Sequence, residues 1–322
     1  MIRSVLIVGL GQIGVGYDLH LDANLHVYSH ARAFNSHPAF RLIGGVDPNA
    51  RQRDVFTNAY GCPAFSELAA ALEYRQPDVV VLAVPTSLHA GTLQQVLDQS
   101  RPSAILCEKP LSYSVGEARV MTQICLAHGV SLYVNYMRRS DVGVVEIKRR
   151  LDAGEIAGPV KGVVWYSKGF LHNGSHFFNL LEYWLGTMQG FLELNPGRHW
   201  NKTDREPDVQ IRFERGTVVF LAAWEEAFSH YTVELLSPSG RLRYEKSGKL
   251  IQWQSLHPDG FLEGYSVLAD PEFLVSGMDR SQLQVVEQLA NGLDGRDAHL
   301  CSGVEALFTL ESMNRVLEGY SK

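Results

Sequence analysis

The sequence predicts an α/β protein with two domains: a doubly wound parallel sheet, then an α+β domain with an open, mainly antiparallel sheet. Three observations carry this prediction. In the first part of the chain, short apolar runs alternate with helical segments, and a glycine-rich turn follows the first run. From about residue 139, strand-like stretches follow one another through short turns. We therefore expect domains at 1–138 and 139–322, although the C-terminal helices could pack back on the first domain.

The first domain is predicted from its apolar runs and the segments between them. The runs are short and rich in β-branched residues, which is typical of strands buried on both faces. They cover residues 4–8, 40–46, 78–84, 103–107 and 131–135, and helical spacing marks residues 67–74, 88–99 and 115–128.

The second domain begins with an amphipathic helix at 142–151, which is followed by a breaker at 157–159. Six strand-like stretches follow, at 160–167, 209–213, 217–224, 231–236, 240–245 and 249–254. Two helical segments, 281–291 and 303–318, complete the domain.

Composition excludes several classes of function. The formal net charge is −6 and there is no basic helix, so neither a DNA-binding regulator nor binding to an anionic membrane is favoured. The four cysteines form no C-x-x-C pair, and the spacing of His20, His26, His30 and His37 matches no ligand motif, so we expect no metal. The first segment is too short and glycine-rich for a membrane span and lacks signal-peptide features, so we expect a cytoplasmic protein.

The glycine-rich turn has the form G-x-G-x-x-G, with glycines at Gly9, Gly11 and Gly14. The pattern alone is weak, but it follows a buried-type strand and opens the next segment, as a Rossmann dinucleotide site requires. The first glycine permits the tight turn, the second lets the backbone approach a pyrophosphate, and the third lets helix and strand pack closely. The backbone of Gln12 and Ile13, at the start of the expected helix, would lie beside the phosphates.

A Rossmann site also needs an acid after the second strand to accept hydrogen bonds from the ribose. Asp47 has that position but lies farther from the glycines than usual, so residues 16–38 must contain an extra loop. Asp18 and Asp22 are nearer, but they follow no strand. An acid here repels a 2′-phosphate and favours NAD over NADP, although Arg51 and Arg53 nearby leave that choice open.

The segment 105–110, Ile-Leu-Cys-Glu-Lys-Pro, lies at the end of the fourth apolar run, where ligands of such sheets bind. Pro110 biases Lys109 toward extended geometry, and a desolvated lysine there has a pKa lowered toward neutrality, as a general acid/base needs. His176 is the second catalytic candidate, because an imidazole can exchange a proton near neutral pH. It begins an apolar helical run, and Asn173, Gly174 and Ser175 before it are residue types that cap helix N-termini.

Together these segments resemble the glucose–fructose oxidoreductase/inositol dehydrogenase/MocA (Gfo/Idh/MocA) family over essentially the whole chain. Residues 83–89 resemble that family's third nicotinamide-domain loop, and residues 135–139 resemble its crossover between domains. Residues 172–179 lie where the family has Asp-x-Gly-x-His-x-x-Asp, but here His172 and Asn179 replace the two aspartates.

The resemblance implies a cofactor site and a pair of acid/base residues. Pro85, Thr86 and His89 would border the nicotinamide half, with Glu108 and Lys109 beside it. Lys109 would be the principal acid/base and His176 its partner, with His172 a third group. With both aspartates replaced, three readings stay open: His172 transfers the proton or binds substrate, Lys109 acts alone, or the protein binds its cofactor without turnover.

The function that we expect is hydride transfer between NAD(H) and a secondary alcohol or ketone of a sugar, cyclitol or nucleotide-sugar. This substrate class rests on the resemblance. The alternatives are a reductase of an imine or conjugated double bond and a non-catalytic NAD-binding sensor. The expected substrate-lining residues are Lys109, Tyr166, Lys168, His172, Asn173 and His176. An exposed sheet face in the second domain would need cover, so we expect a homodimer or homotetramer.

Overall fold

The computed structural model describes residues 2–319, which form two compact units. The first unit comprises residues 2–140 and Asp279–Phe308, and the second comprises Asp141–Met278 and residues 309–319. A division after residue 138 would leave Asp279–Phe308 in the second domain, whereas in the structure this segment packs in the first unit.

The first unit is built on a parallel sheet with strand order β6-β5-β4-β1-β2-β3, and β16 pairs antiparallel with β6. The strands, numbered along the chain, are β1 (Arg3–Val8), β2 (Phe40–Val46), β3 (Ala64–Phe65), β4 (Val79–Leu82), β5 (Ala104–Cys107), β6 (Ser131–Val134) and β16 (Cys301–Ser302). The strand order reverses at β1, which lies between β2 and β4, and ligands of such sheets bind at that crevice. The predicted doubly wound sheet is confirmed.

The helices of this unit are α1 (His30–Ser36), α2 (Ala50–Tyr60), α3 (Leu68–Tyr74), α4 (His89–Gln99), α5 (Val115–Ala127) and α8 (Ser281–Leu293). Helix α9 (Gly303–Glu318) begins in the first unit and ends in the second. Helix α2 was not predicted because Phe56 is its only buried residue, so it has almost no apolar periodicity. The N-caps Ser29, Asn49 and Ser114 each accept a backbone N–H at the start of α1, α2 and α5.

The second unit is built on a mainly antiparallel sheet with order β14-β13-β12-β11-β7-β10-β9-β8, and β15 pairs with β13. Its strands are β7 (Val160–Tyr166), β8 (Met188–His199), β9 (Arg205–Phe213), β10 (Gly216–Ala222), β11 (Thr232–Ser237), β12 (Gly240–Glu245), β13 (Leu250–Pro258), β14 (Ser266–Leu268) and β15 (Glu272–Leu274). The open, mainly antiparallel sheet is confirmed, with one parallel pair, β7 and β10.

Strand β8 was missed by the sequence analysis for a physical reason. It contains Pro196 and Gly197, which normally break strands, but it lies at the sheet edge, where a missing N–H is tolerated. Its register with β9 shifts around Asn195, so the side chains do not alternate regularly.

Helices α6 (Val142–Asp152) and α7 (Ser175–Leu185) belong to the second unit. Helix α7 buries Phe177, Phe178 and Trp184 in the core that the sheet residues Val164 and Phe220 also form. Each such side chain contributes roughly 1.5–3 kcal/mol to folding, which fixes the helix and the turn before it. Across residues 2–319, no helix is long and apolar enough to cross a membrane.

Candidate active site

The glycine turn leaves β1 at Gly9, which has a φ of +99°. A Cβ on Gly9 would lie 2.5 Å from the backbone of Ala83, and a Cβ on Gly14 would lie 2.1 Å from the carbonyl oxygen of Gly9. A Cβ on Gly11, in contrast, would meet no atom within 4 Å. The protein fold therefore requires Gly9 and Gly14, while Gly11 faces the open space that a dinucleotide pyrophosphate would fill.

The helix predicted to open at this turn is interrupted. The N–H of Val15 donates to the carbonyl oxygen of Gly11 (2.9 Å), and residues 15–29, here called the insertion, then leave the helix path. The helix resumes as α1, where the N–H of His30 donates to Ile13 O (3.0 Å). Gln12 and Ile13 thus lie in a single turn, so the expectation of a regular helix immediately after the glycines is wrong.

Hydrogen bonds to the buried carboxylate of Asp18 hold the insertion in place. Its oxygens accept hydrogen bonds from the N–H groups of Tyr28 (2.6 Å) and Ser29 (2.9 Å) and from the Ser29 hydroxyl (2.6 Å). Arg32 Nε lies 3.6 Å away. Because Asp18 is 0% exposed, it cannot bind a ribose, and the extra loop expected between residues 16 and 38 is an ordered structure.

Asp47 follows β2 and points at the glycine turn. Its Oδ2 accepts a hydrogen bond from the N–H of Leu10 (2.9 Å) and its Oδ1 from the N–H of Asn49 (2.8 Å). These bonds fix a half-buried carboxylate beside the turn, where a ribose acceptor is needed. Arg53 Nη1 donates to the carbonyl oxygens of Asp47 and Pro48, so its guanidinium is already bonded to the backbone.

Pro85 and Thr86 follow β4, with Pro85 exposed and Thr86 half-buried. His89 is different, because its ring is fully buried. Its Nδ1 lies 3.1 Å from Leu111 O and its Nε2 lies 3.0 Å from Val84 O. The ring of His89 therefore bonds to the two loops that contain Val84 and Leu111. The expectation that it borders the nicotinamide directly is revised.

Glu108 lies at the end of β5 and is held as an anion. Its Oε1 is 2.8 Å from His30 Nε2 and accepts a hydrogen bond from Asn135 Nδ2 (2.6 Å). Burial by itself raises the pKa of Glu108, but the hydrogen bonds from His30 and Asn135 and the charge of Lys109 outweigh it, leaving the pKa below its usual value. A fixed carboxylate therefore stands beside Lys109 in the chain.

Lys109 is partly buried, and the peptide bond to Pro110 is cis. Burial lowers the pKa of Lys109 to about 8; the Glu108 carboxylate opposes this shift and the Arg138 guanidinium adds to it. Near neutral pH a measurable fraction of such an amine is uncharged, so Lys109 can both accept and donate a proton.

In the second unit, His172 lies on a π-helical turn (Gly169–Gly174) that runs directly into α7, whose first turn contains His176. His172 is exposed and His176 is half-buried. The predicted capping is not found: the Ser175 hydroxyl donates to His172 O (3.2 Å), and Asn173 Nδ2 donates to the Tyr231 hydroxyl (2.6 Å). The turn and the helix are continuous, so α7 has no conventional N-cap.

Two buried carboxylates that the sequence analysis missed hold this turn. Asp204 accepts hydrogen bonds from the N–H groups of Leu171 (3.0 Å) and His172 (2.9 Å), and Glu206 accepts one from Gly169 (3.0 Å). Burial raises the pKa of Asp204 despite these bonds. The available signal was the acidic alternation at 204, 206 and 208, which is unusual in a strand of a packed sheet.

Tyr166 and Asn179 are not placed for substrate contact. Tyr166 is 0% exposed, its hydroxyl donates to Pro207 O (2.7 Å), and burial raises its pKa well above the usual value. The expectation that Tyr166 lines the substrate pocket is therefore wrong. Asn179 is buried, and its Nδ2 donates to Thr309 Oγ1 (3.0 Å). Lys168 remains accessible, in a left-handed conformation with φ +64°.

The four histidines at 20, 26, 30 and 37 do not share a site. His30 pairs with Glu108, whereas His37 Nε2 lies 2.9 Å from Glu287 Oε2. His20 is exposed and His26 half-buried. Among the described residues, no group of three or more His, Cys, Asp or Glu side chains is arranged to hold a metal ion.

The order of the first sheet, the open space at Gly11 and the carboxylate of Asp47 beside the turn define a dinucleotide-binding Rossmann domain. Residues 3–136 match the model of the oxidoreductase family with an NAD-binding Rossmann fold. This match covers less than half of the chain, and it agrees with the resemblance to the Gfo/Idh/MocA oxidoreductases that the sequence motifs indicated.

Two curated relatives are similar to part of this chain. The scyllo-inositol 2-dehydrogenase (NAD(+)) of Bacillus subtilis strain 168 is 30% identical over 166 residues, which are 51% of this chain and 43% of that protein. The inositol 2-dehydrogenase of Mycolicibacterium smegmatis is 35% identical over 111 residues, 34% of this chain and 32% of that protein. This chain thus spans less than half the length of either relative.

Among solved structures, the WlbA dehydrogenase of Bordetella pertussis in complex with NADH and UDP-GlcNAcA is similar over 100% of this chain and 98% of its own, with a TM-score of 0.73. At 17% sequence identity this similarity establishes the fold alone.

Proposed function

We propose that the protein transfers a hydride between NAD(H) and a secondary alcohol or ketone of a sugar, cyclitol or nucleotide-sugar. The observation that carries the proposal is the placement of Lys109, partly buried at the carboxyl end of a central strand of an NAD-binding domain, where burial lowers its pKa to about 8. Hydride transfer at such a carbon requires a group that takes the hydroxyl proton, and a lysine of this pKa suits that task.

The residues present fit the cofactor. Gly11 leaves room for the pyrophosphate beside the backbone of Gln12 and Ile13, and the Asp47 carboxylate would accept from a ribose hydroxyl. The bound nicotinamide would supply the hydride acceptor or donor. Asp47 would repel a 2′-phosphate, and Arg53 is engaged with backbone carbonyls, so NAD is favoured over NADP.

The proposed proton chemistry starts at Lys109. In the oxidation direction its neutral Nζ accepts the hydroxyl proton, and in reduction its ammonium returns one. His176, on the first turn of α7, is the second proposed acid/base group. His172 is the third, because its exposed ring lies on a turn that Asp204 holds in place.

The substrate class is supported by the relatives. The Bacillus subtilis and Mycolicibacterium smegmatis proteins are named inositol dehydrogenases, and WlbA was crystallised with a nucleotide-sugar acid. All three substrates or ligands carry ring hydroxyl groups, so a polyhydroxylated ring is the class to test first.

The test is stopped-flow absorbance at the NADH band with panels of cyclitols, sugars and nucleotide-sugars, beside a panel of imines and conjugated ketones. We expect turnover with at least one ring alcohol and its loss in Lys109→Met, while Lys161→Met, an exposed lysine on β7, retains it. Turnover that is confined to the imine or enone panel, or that survives in Lys109→Met, contradicts the proposal.

A non-catalytic NAD-binding function is the second candidate. It is favoured by Asn179, which lies where the family has an aspartate and is bonded within the core to Thr309. NAD binding measured by calorimetry, with no turnover on any panel, would favour this candidate over the first.

We also propose a homodimer or homotetramer through the outer face of the second unit's sheet. Along β7, Val164 and Tyr166 are buried, whereas Val163 and Trp165 on the opposite face are 37% and 40% exposed. Leu236 on the adjoining β11 is also exposed. Sedimentation of the protein as a monomer at micromolar concentration would contradict this proposal.

A further inference from the structure

The insertion delivers a histidine to the strand end that carries Lys109. Residues 15–29 leave the interrupted helix after Gly14, and the first residue of the resumed helix is His30. Its backbone N–H bonds back to Ile13 in the glycine turn, while its ring Nε2 lies 2.8 Å from Glu108 Oε1. His30 therefore joins the two halves of the proposed cofactor site, the turn at the end of β1 and the end of β5.

The pair belongs to a chain of hydrogen-bonded polar groups in the first unit. Asn135 donates to Glu108 Oε1 (2.6 Å) and to Gln282 Oε1 (3.2 Å), and the N–H of Gln282 donates to Val27 O in the insertion (3.2 Å). His30, Asn135 and Gln282 are each at most 3% exposed. The contacts of Glu108 Oε1 with His30 and Asn135 hold the carboxylate in one position.

The tautomer of His30 follows from its surroundings. Glu108 is anionic and only accepts, so Nε2 must carry the hydrogen that is donated to it. Nδ1 of His30 is buried and has no hydrogen-bond partner among residues 2–319. Among the described residues, the His30 ring thus hydrogen-bonds to Glu108 alone, and its role is to hold that carboxylate.

We infer that His30 is a positioning residue that keeps Glu108 as a fixed anion beside Lys109 and thereby sets the protonation of Lys109. The inference deepens the proposed function, in which Lys109 is the acid/base. Glu108 and Arg138 act electrostatically on Lys109, while Lys109 and the hydrogen bonds from His30 and Asn135 act on Glu108. Without the His30 donor, the Glu108 carboxylate stays ionised near pH 8 but is no longer held in place, so its charge stabilises the Lys109 ammonium less and the pKa of Lys109 falls further.

The experiment measures the protonation of Lys109 without any substrate. The purified full chain is trace-labelled with acetic anhydride across a pH series, and the acetylation of Lys109 relative to Lys161 is read by peptide mass spectrometry. Only the neutral amine reacts, so the midpoint of the curve reports the pKa. We expect a midpoint near 8 in the unaltered protein and a lower midpoint in His30→Leu, with a fall no larger than that in Glu108→Gln.

Three variants separate this role from a general effect on folding. His30→Gln retains an N–H donor and should keep the unaltered midpoint. His37→Leu removes another buried histidine, at the end of the same helix, whose partner Glu287 is largely exposed, and it should also keep the unaltered midpoint. Glu108→Gln should lower the midpoint, and adding His30→Leu to it should lower it no further. Thermal denaturation shows which variants fold.

If the acetylation midpoint of Lys109 in His30→Leu equals that of the unaltered protein, the inference is overturned. It is also overturned if His37→Leu lowers the midpoint as much as His30→Leu does. If His30→Leu does not fold, an unchanged midpoint in Glu108→Gln overturns it. Labelling requires no turnover, so the midpoints can shift as expected even if the proposed function is wrong. Conversely, an active enzyme whose midpoints do not change in the variants would refute only the inference about His30.

Discussion

The N–H of Ala31 donates to the carbonyl oxygen of Gly14 across 2.9 Å, although residues 15–30 separate the two in the chain. The first helix of the Rossmann domain is therefore one helix in space but two segments in sequence. Because this hydrogen bond and the one from His30 to Ile13 hold the glycine turn from behind, the turn keeps its shape without a regular helix directly after it.

The three glycines of the turn should respond differently to alanine. Gly11→Ala should fold with an unchanged melting temperature, because its Cβ meets no protein atom, and should weaken NADH binding by at least about tenfold. Gly14→Ala should instead destabilise the fold by about 1–3 kcal/mol, because its Cβ collides with the carbonyl oxygen of Gly9. Fluorescence titration with NADH and thermal denaturation measure the two effects. Equal loss of stability in both variants would show that Gly11 does not face a ligand.

Lys109 should impose a pH dependence on the reaction. Its neutral form is the base, so alcohol oxidation at saturating NAD should rise with pH and level off above about 8, and reduction should fall over the same range. A nicotinamide cation would move this midpoint lower, because like charges repel. Lys109→Met should lose roughly 10²–10⁴-fold in kcat. Initial rates over a pH series provide the check, and a profile that is unaltered in Lys109→Met would assign the titration to another group.

Asp47 should determine the preference between the two dinucleotides. Asp47→Ser removes the carboxylate that would bind the ribose and repel a 2′-phosphate, so NAD affinity should fall about tenfold while NADP affinity rises. The matched control is Asp54→Ser, an exposed acid on α2, which should change neither affinity. The two dissociation constants come from calorimetry. Tighter binding of NADP than NAD by the unaltered protein would refute the role given to Asp47.

Placing an aspartate at position 179, as the Gfo/Idh/MocA resemblance would have it, should destabilise this protein. Asn179 donates to Thr309, whose hydroxyl donates to Glu182, so Asn179→Asp replaces a donor with a buried carboxylate near a second one. The pKa of that new carboxyl would be raised in the folded state, so the loss, about 1–3 kcal/mol, should be small at low pH and grow as the pH rises. Urea unfolding of this variant and of exposed Asn195→Asp, at pH about 5 and about 8, measures it. A loss that is independent of pH would contradict the argument.

The site was predicted best where chemistry depends on residue type and local spacing. The three glycines, Asp47 and Lys109 each follow an apolar strand, so their place at the carboxyl edge of the sheet follows from the strand pattern. Tyr166 was misplaced for the opposite reason. Strand alternation shows that Trp165 and Tyr166 face opposite sides, but which side is buried depends on the helix that covers it.

The sequence by itself determined the doubly wound sheet, its dinucleotide turn and the antiparallel sheet that follows, because these depend on hydrophobic period and on glycine at short range. Only the tertiary structure decided what the intervening polar residues do. Asp18, Asp204 and Glu206 became buried anchors, and His30 came to lie beside Glu108. Their partners are distant in the chain, and a hydrogen bond between distant residues leaves no periodic signal in either segment. The sequence predicted only an extra loop within residues 16–38. In the structure, this loop brings His30 to the end of β5, the strand that carries Lys109 at its end.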